Sequence, residues 1–213
     1  MKTDALIDML ARGPVAIDPA PARRRLSLAL AGGALVALLL TLGLLGARTD
    51  VDAALVDPMS WVKLGSCITL AAFATPLALR LGRPGSLAGA AVWGIVVPAL
   101  GLWALAAIAL LRVPAGERLG LLLGQSWTSC PWLIAALSLP AFALLLWAAR
   151  AMAPVRPRLA GACAGLLAGA IGAAAYSLHC GESAAPFVAT WYLAGIALPA
   201  LAGAAFGARL LRW

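Results

Sequence analysis

Two cysteines and the single histidine of the chain are the residues best equipped for chemistry. Cys180 follows His179 in the polar knot Tyr176-Ser177-Leu178-His179-Cys180-Gly181-Glu182, and Cys130 opens an apolar run after Trp127-Thr128-Ser129. Thiolates beside an imidazole suit thiophilic metals, and a neighbouring imidazolium lowers a thiol pKa. A redox or metal switch on Cys130, Cys180 and His179 is one reading. A structural disulfide, or two thiols packed at an interface, is the other. Glu182 is a weak further ligand and no fourth is visible, so a closed four-ligand site is not expected. The four cysteines form no C-x-x-C, which excludes a standard zinc knuckle or thioredoxin motif.

The elements that must position these residues are membrane helices. Of 213 residues, 63% are hydrophobic and 11% charged, with mean hydropathy +0.97. A soluble domain carries roughly a quarter charged residues. Crossing a ~30 Å hydrocarbon core takes about 20 helical residues. Six runs qualify: Leu26–Gly46, Ser60–Leu79, Leu87–Leu111, Pro131–Ala149, Leu159–Leu178 and Phe187–Leu211. Short connections make the bundle antiparallel. The fold class is therefore all-α: a polytopic membrane protein of six transmembrane helices over residues 26–213, after a leader of residues 1–25.

The net charge of +8 would suggest nucleic acid in a soluble domain, but here it reports orientation, and no direct nucleic-acid contact is expected. One side carries Lys2, Arg12, Arg23, Arg24, Arg25, Arg80, Arg83, Arg150, Arg156, Arg158, Arg209 and Arg212. The other carries Arg48, Arg112 and Arg118. Twelve against three places both termini in the cytoplasm and the His179-Cys180 hairpin outside. Trp61, Trp103, Trp127, Trp132 and Trp191 near the outer boundary, with Trp93, Trp147 and Trp213 near the inner one, match aromatic belts.

This topology sorts the remaining features. Cys130 and Cys180 share a depth and can meet if the fourth helix packs near the fifth and sixth. Cys163 lies most of a membrane thickness from Cys180, too far for the 4.4–6.8 Å Cα separation of a disulfide. Cys67 and Cys163 read as small buried residues. Lys63 would cost about 2.5–3.5 kcal/mol at a bilayer centre. A turn inside the outer boundary it is expected to snorkel, a polar partner in the bundle being second. Gly161, Gly165 and Gly169, with Gly203 and Gly207, form stripes that permit close helix packing. In the leader, Leu6, Ile7 and Leu10 give a short helix one apolar face, Pro14 stops it, and Pro19 and Pro21 keep the next stretch extended up to Arg23-Arg24-Arg25. No Asp or Glu lies inside a span, and no nucleotide loop or catalytic triad is present, so no enzyme is expected.

Several stretches together carry a family likeness. They are the leader Met1-Lys2-Thr3-Asp4-x-Leu6-Ile7, the segment Pro58-Met59-Ser60-Trp61-Val62-Lys63-Leu64, and Ser126-Trp127-x-Ser129-Cys130. Tyr176-x-Leu178-His179-Cys180, Trp191-Tyr192 and the close Gly207-x-Arg209-Leu210-Leu211-Arg212-Trp213 complete it. The chain resembles the NrsF-type membrane anti-sigma factors, bacterial negative regulators of extracytoplasmic-function sigma factors. The resemblance implies that the leader holds such a sigma factor at the inner membrane. It implies that Cys130 and Cys180 sense heavy-metal or oxidative stress and release it. Leu6, Ile7 and Leu10 are then the natural sigma contact. No resident cofactor is implied, only a transient thiophilic metal ion, with Cys130, Cys180 and His179 as its ligands. The competing readings are a membrane thiol-redox or metal-handling protein using that Cys/His cluster, and a passive subunit whose glycine stripes pack against a larger complex.

Overall fold

The computed structural model describes residues 7–8, 20–82 and 89–212, and among these it is helical with no strand. Six helices are long and apolar enough to cross a membrane: Ala20–Leu45, Pro58–Leu81, Gly89–Leu111, Cys130–Arg150, Pro157–Tyr176 and Ala185–Leu210, here numbered first to sixth. Two short helices, Val51–Val56 and Arg118–Leu123, lie in connections.

The first helix is already formed at Ala20, so Arg23, Arg24 and Arg25 are helical. Pro21 is tolerated because the first turn of a helix has no intrahelical use for its missing N–H. The second helix starts at Pro58 for the same reason, and Asp57 caps it. The Asp57 carboxylate accepts from the backbone N–H of Met59 and Ser60, both at 3.1 Å.

The fifth helix is the axis of the bundle. In its most apolar window 78% of residues are buried, against 11% for the third helix, which lies at the periphery. Its closest neighbour is the sixth helix, followed by the fourth and second, while the first lies on the fourth and fifth. Glycine explains the closeness. A Cβ at Gly161 would collide with the Gly203 carbonyl, one at Gly165 with the Pro199 carbonyl, and one at Gly203 with the Gly161 carbonyl. These backbones touch because nothing stands between them. The glycine stripes are thus spent on a contact within the chain, which removes the ground for a passive subunit that offers them to a larger complex.

Contacts between non-adjacent helices sort the two ends. At one end the hairpin after the fifth helix meets the exit of the first, the start of the second and the start of the fourth. At the other, Gly82 packs on Met152, Arg25 lies over the Trp147 ring at 5.9 Å, and Arg150 donates to the Leu210 carbonyl. The first is called here the cysteine end.

Candidate functional site

The site begins with one face of the second helix. Lys63, Cys67, Leu70 and Ala74 are its buried residues, spaced four, three and four apart, which places them in a single row. Leu70 and Ala74 are ordinary apolar contacts. Lys63 is not: it is only 1% exposed. Its ammonium donates to the backbone carbonyls of Cys180 at 2.8 Å and Glu182 at 2.9 Å, and sits 5.2 Å from the centre of the Tyr192 ring. An ammonium has three donors and no acceptor. Two carbonyls and one ring face satisfy it. The expected snorkelling to the boundary does not occur, because the hairpin folds inward and supplies carbonyls closer than bulk water.

Around this ammonium the structure gathers the cysteines. Cys130 and Cys180, fifty residues apart in sequence, are 0% and 4% exposed and share one core cluster with Cys67, Tyr176 and Tyr192. All four cysteines are free thiols. The thiols of Cys130 and Cys180 face each other, and that contact holds Cys180 well below the usual thiol range. Burial opposes the shift, while the Lys63 charge and the Tyr192 hydroxyl reinforce it. The Tyr192 hydroxyl points at the Cys180 sulfur without completing a hydrogen bond, and it has no other partner. Cys163 belongs to the opposite half of the bundle, where its thiol donates to the Ala74 carbonyl at 3.4 Å. Sequence depth separated Cys163 correctly. It missed Lys63 and Cys67 as neighbours of the pair, although their spacing of four, one helical face, was the available signal.

The hairpin itself is a hub. Arg48, just beyond the first helix, donates its backbone N–H to the Leu178 carbonyl at 2.9 Å. His179 Nδ1 lies 3.1 Å from the Gly46 carbonyl. Gly46 has φ +78°, a conformation that glycine adopts freely and other residues avoid. The Arg48 guanidinium grips Asp50 with two bonds of 2.7 and 2.6 Å. From the far side, the Glu182 carboxylate accepts from the Gln125 N–H at 2.7 Å, and Trp191 donates to the Leu122 carbonyl at 2.8 Å. The first and sixth helices each carry a π-helical turn at this end, Thr41–Leu45 and Val188–Tyr192, the latter ending on the tyrosine above Lys63. Such turns recur at functional sites.

The metal set of Cys130, Cys180 and His179 is not assembled. Among the described residues no three His, Cys, Asp or Glu side chains come together as a metal-holding group. His179 instead turns to the Gly46 carbonyl and lies beside the Tyr176 ring, 5.8 Å between centres. Of the sigma-contact candidates, Leu6 and Leu10 lie outside the described residues. Ile7 is helical and exposed.

The architecture is thus a six-helix membrane-type bundle with a buried dithiol at one end and Arg23, Arg24 and Arg25 of the first helix at the other. Comparison with known proteins narrows that class. The sequence model of the family described as "NrsF: Negative regulator of sigma F" matches residues 10–213. Over its full length and theirs, the chain is 47% identical to the "Probable anti-sigma-F factor NrsF" of Azospira oryzae and 44% identical to the "Anti-sigma-F factor NrsF" of Caulobacter vibrioides. No solved structure matches the chain. The chain belongs to the NrsF family.

Proposed function

We propose that this protein is a membrane-bound anti-sigma factor of the bacterial inner membrane. It holds an extracytoplasmic-function sigma factor through its N-terminal leader, with Leu6, Ile7 and Leu10 as contacts. It releases that factor when Cys130 and Cys180 react under heavy-metal or oxidative stress. The excess of basic residues at the leader end argues for cytoplasmic termini and a periplasmic cysteine end. A thiophilic metal ion is a stimulus in this scheme, not a resident cofactor.

One observation supports the sensing step above others. The two reactive sulfurs sit together, and the segment carrying Cys180 is bonded through Leu178 and His179 to the loop that ends the first helix. That helix leads back to the leader. Modifying either sulfur adds atoms where both side chains are almost wholly buried, and joining them draws the two segments closer, so in either case the hairpin shifts. Displacement loosens Leu178 from Arg48 and His179 from Gly46, and the first helix shifts against the fourth and fifth. A thiol-redox or metal-handling role would need more ligands or a second reactive pair at this end.

The test is transcription from a sigma-dependent promoter in cells carrying Cys130→Ser or Cys180→Ser. Each variant should repress as the parent does and fail to respond to thiol-reactive agents. Induction that survives both substitutions refutes cysteine sensing.

A further inference from the structure

The two sulfurs are not equivalent: they face each other, and the Lys63 ammonium near both is bonded to the backbone of Cys180 alone of the two. That ammonium is bonded to the carbonyl of Cys180 itself and to that of Glu182, and it is sealed beneath the ring of Tyr192. Among the described residues no carboxylate pairs with it. The nearby guanidinium of Arg48 is already neutralised by Asp50, and the Glu182 carboxylate is turned away to Gln125. The ammonium therefore stands without a carboxylate partner beside the cysteine pair, bonded to the backbone of Cys180, in surroundings that screen it poorly. The Tyr192 hydroxyl, buried and unpartnered, points at the Cys180 sulfur. Cys130 sits differently, on the first turn of the fourth helix with its N–H bonded to the Ser126 carbonyl.

We infer that Lys63 is a positioning residue of the sensor that makes Cys180 the first sulfur to react, with Cys130 following. The charge stabilises the Cys180 thiolate, the form that attacks an electrophile, and the Tyr192 hydroxyl completes its free hydrogen bond to that sulfur once the proton has left. The same charge draws anionic reagents to Cys180 over neutral ones of equal size. The inference rests on the sensing role proposed for the pair. It is read on the isolated protein, without a sigma factor, so its failure is separate from failure of that role.

The experiment uses the full chain in mild detergent and two alkylating probes of matched shape, neutral iodoacetamide and anionic iodoacetate. In each reaction a sulfur–carbon bond forms, the carbon–iodine bond breaks, iodide leaves and the thiol proton passes to solvent. Peptide mass spectrometry follows each cysteine separately. Cys180 should be labelled before Cys130. Its iodoacetate-to-iodoacetamide rate ratio should exceed that of a small neutral thiol measured alongside by on the order of tenfold. The ratio cancels any difference in how often the cluster opens. Lys63→Met should return it to the small-thiol value, and Lys63→Arg should keep it raised. Cys130 labelled first, a parental Cys180 ratio equal to the small thiol's, or a raised ratio that survives Lys63→Met overturns the inference. The parental ratio alone decides the matter if Lys63→Met does not fold.

Discussion

Replacing Gly165 with alanine tests whether the contact between the fifth and sixth helices is the frame of the molecule. The added methyl would meet the Pro199 carbonyl and the Ala200 Cα, backbone atoms that cannot rotate aside. The two helices must separate, and overpacking of this kind costs about 1–3 kcal/mol. Alanine in place of a helical glycine otherwise gains roughly 0.5–1 kcal/mol. Gly101, in the third helix with nothing within 4 Å of its added Cβ, should show that gain alone. The two variants should therefore differ by roughly 2 kcal/mol. Reversible unfolding in mixed micelles, followed by tryptophan fluorescence, measures both against the parent. Equal stability of Gly165→Ala and Gly101→Ala would refute the close backbone contact and the central place given to the fifth helix.

Other outcomes follow from single contacts. Lys63→Met strands the Cys180 and Glu182 carbonyls without a donor, at about 1–3 kcal/mol for each unsatisfied group. Unfolding in micelles should show a loss well beyond that of Lys63→Arg; a loss no larger would restore the snorkelling picture. Asp57→Ala removes the cap of the second helix and should cost about 1 kcal/mol in the same assay. Asp50 is held down from 3.8 to about 2 by its hydrogen bond to Arg48. A depressed carboxylate contributes fully above its unfolded pKa and loses its contribution as pH falls through the folded value. Protection of the loop after the first helix, its hydrogen exchange relative to the intrinsic rate at each pH, should thus hold down to pH 3.8 and fall toward about 2. Arg48→Gln should abolish that acid step, and an unchanged step would place its origin elsewhere.

Much of the fold was legible because the bilayer forces a simple pattern: apolar runs of spanning length separated by charge. The depths of Cys130, Cys180 and Cys163 followed from helical rise alone, which is why the pair was recognisable and Cys163 was set apart. Lateral neighbours were harder. Depth says nothing of which faces meet, so Lys63 looked like a boundary residue when it is the cation beneath the cysteine hairpin. His179 looked like a ligand because it adjoins Cys180 in sequence, yet a turn sends adjacent side chains in different directions, and this one reaches Gly46. The glycine stripes announced close packing without naming the partner, which proves to be the sixth helix. The link from the hairpin to the first helix had no sequence signal, since it runs through backbone groups at Arg48, Leu178 and Gly46.

The central claim is that residues 1–25 hold a sigma factor under control of the cysteine pair. The direct measurement is capture of a purified extracytoplasmic-function sigma factor from the same organism by the purified protein in mild detergent, with and without residues 1–25, before and after a thiol-reactive metal is added. Capture that needs the leader, is lost on adding the metal and is kept in Cys130→Ser or Cys180→Ser is the predicted result. Capture that persists without the leader, or that the metal leaves unchanged in the parent, would contradict the account.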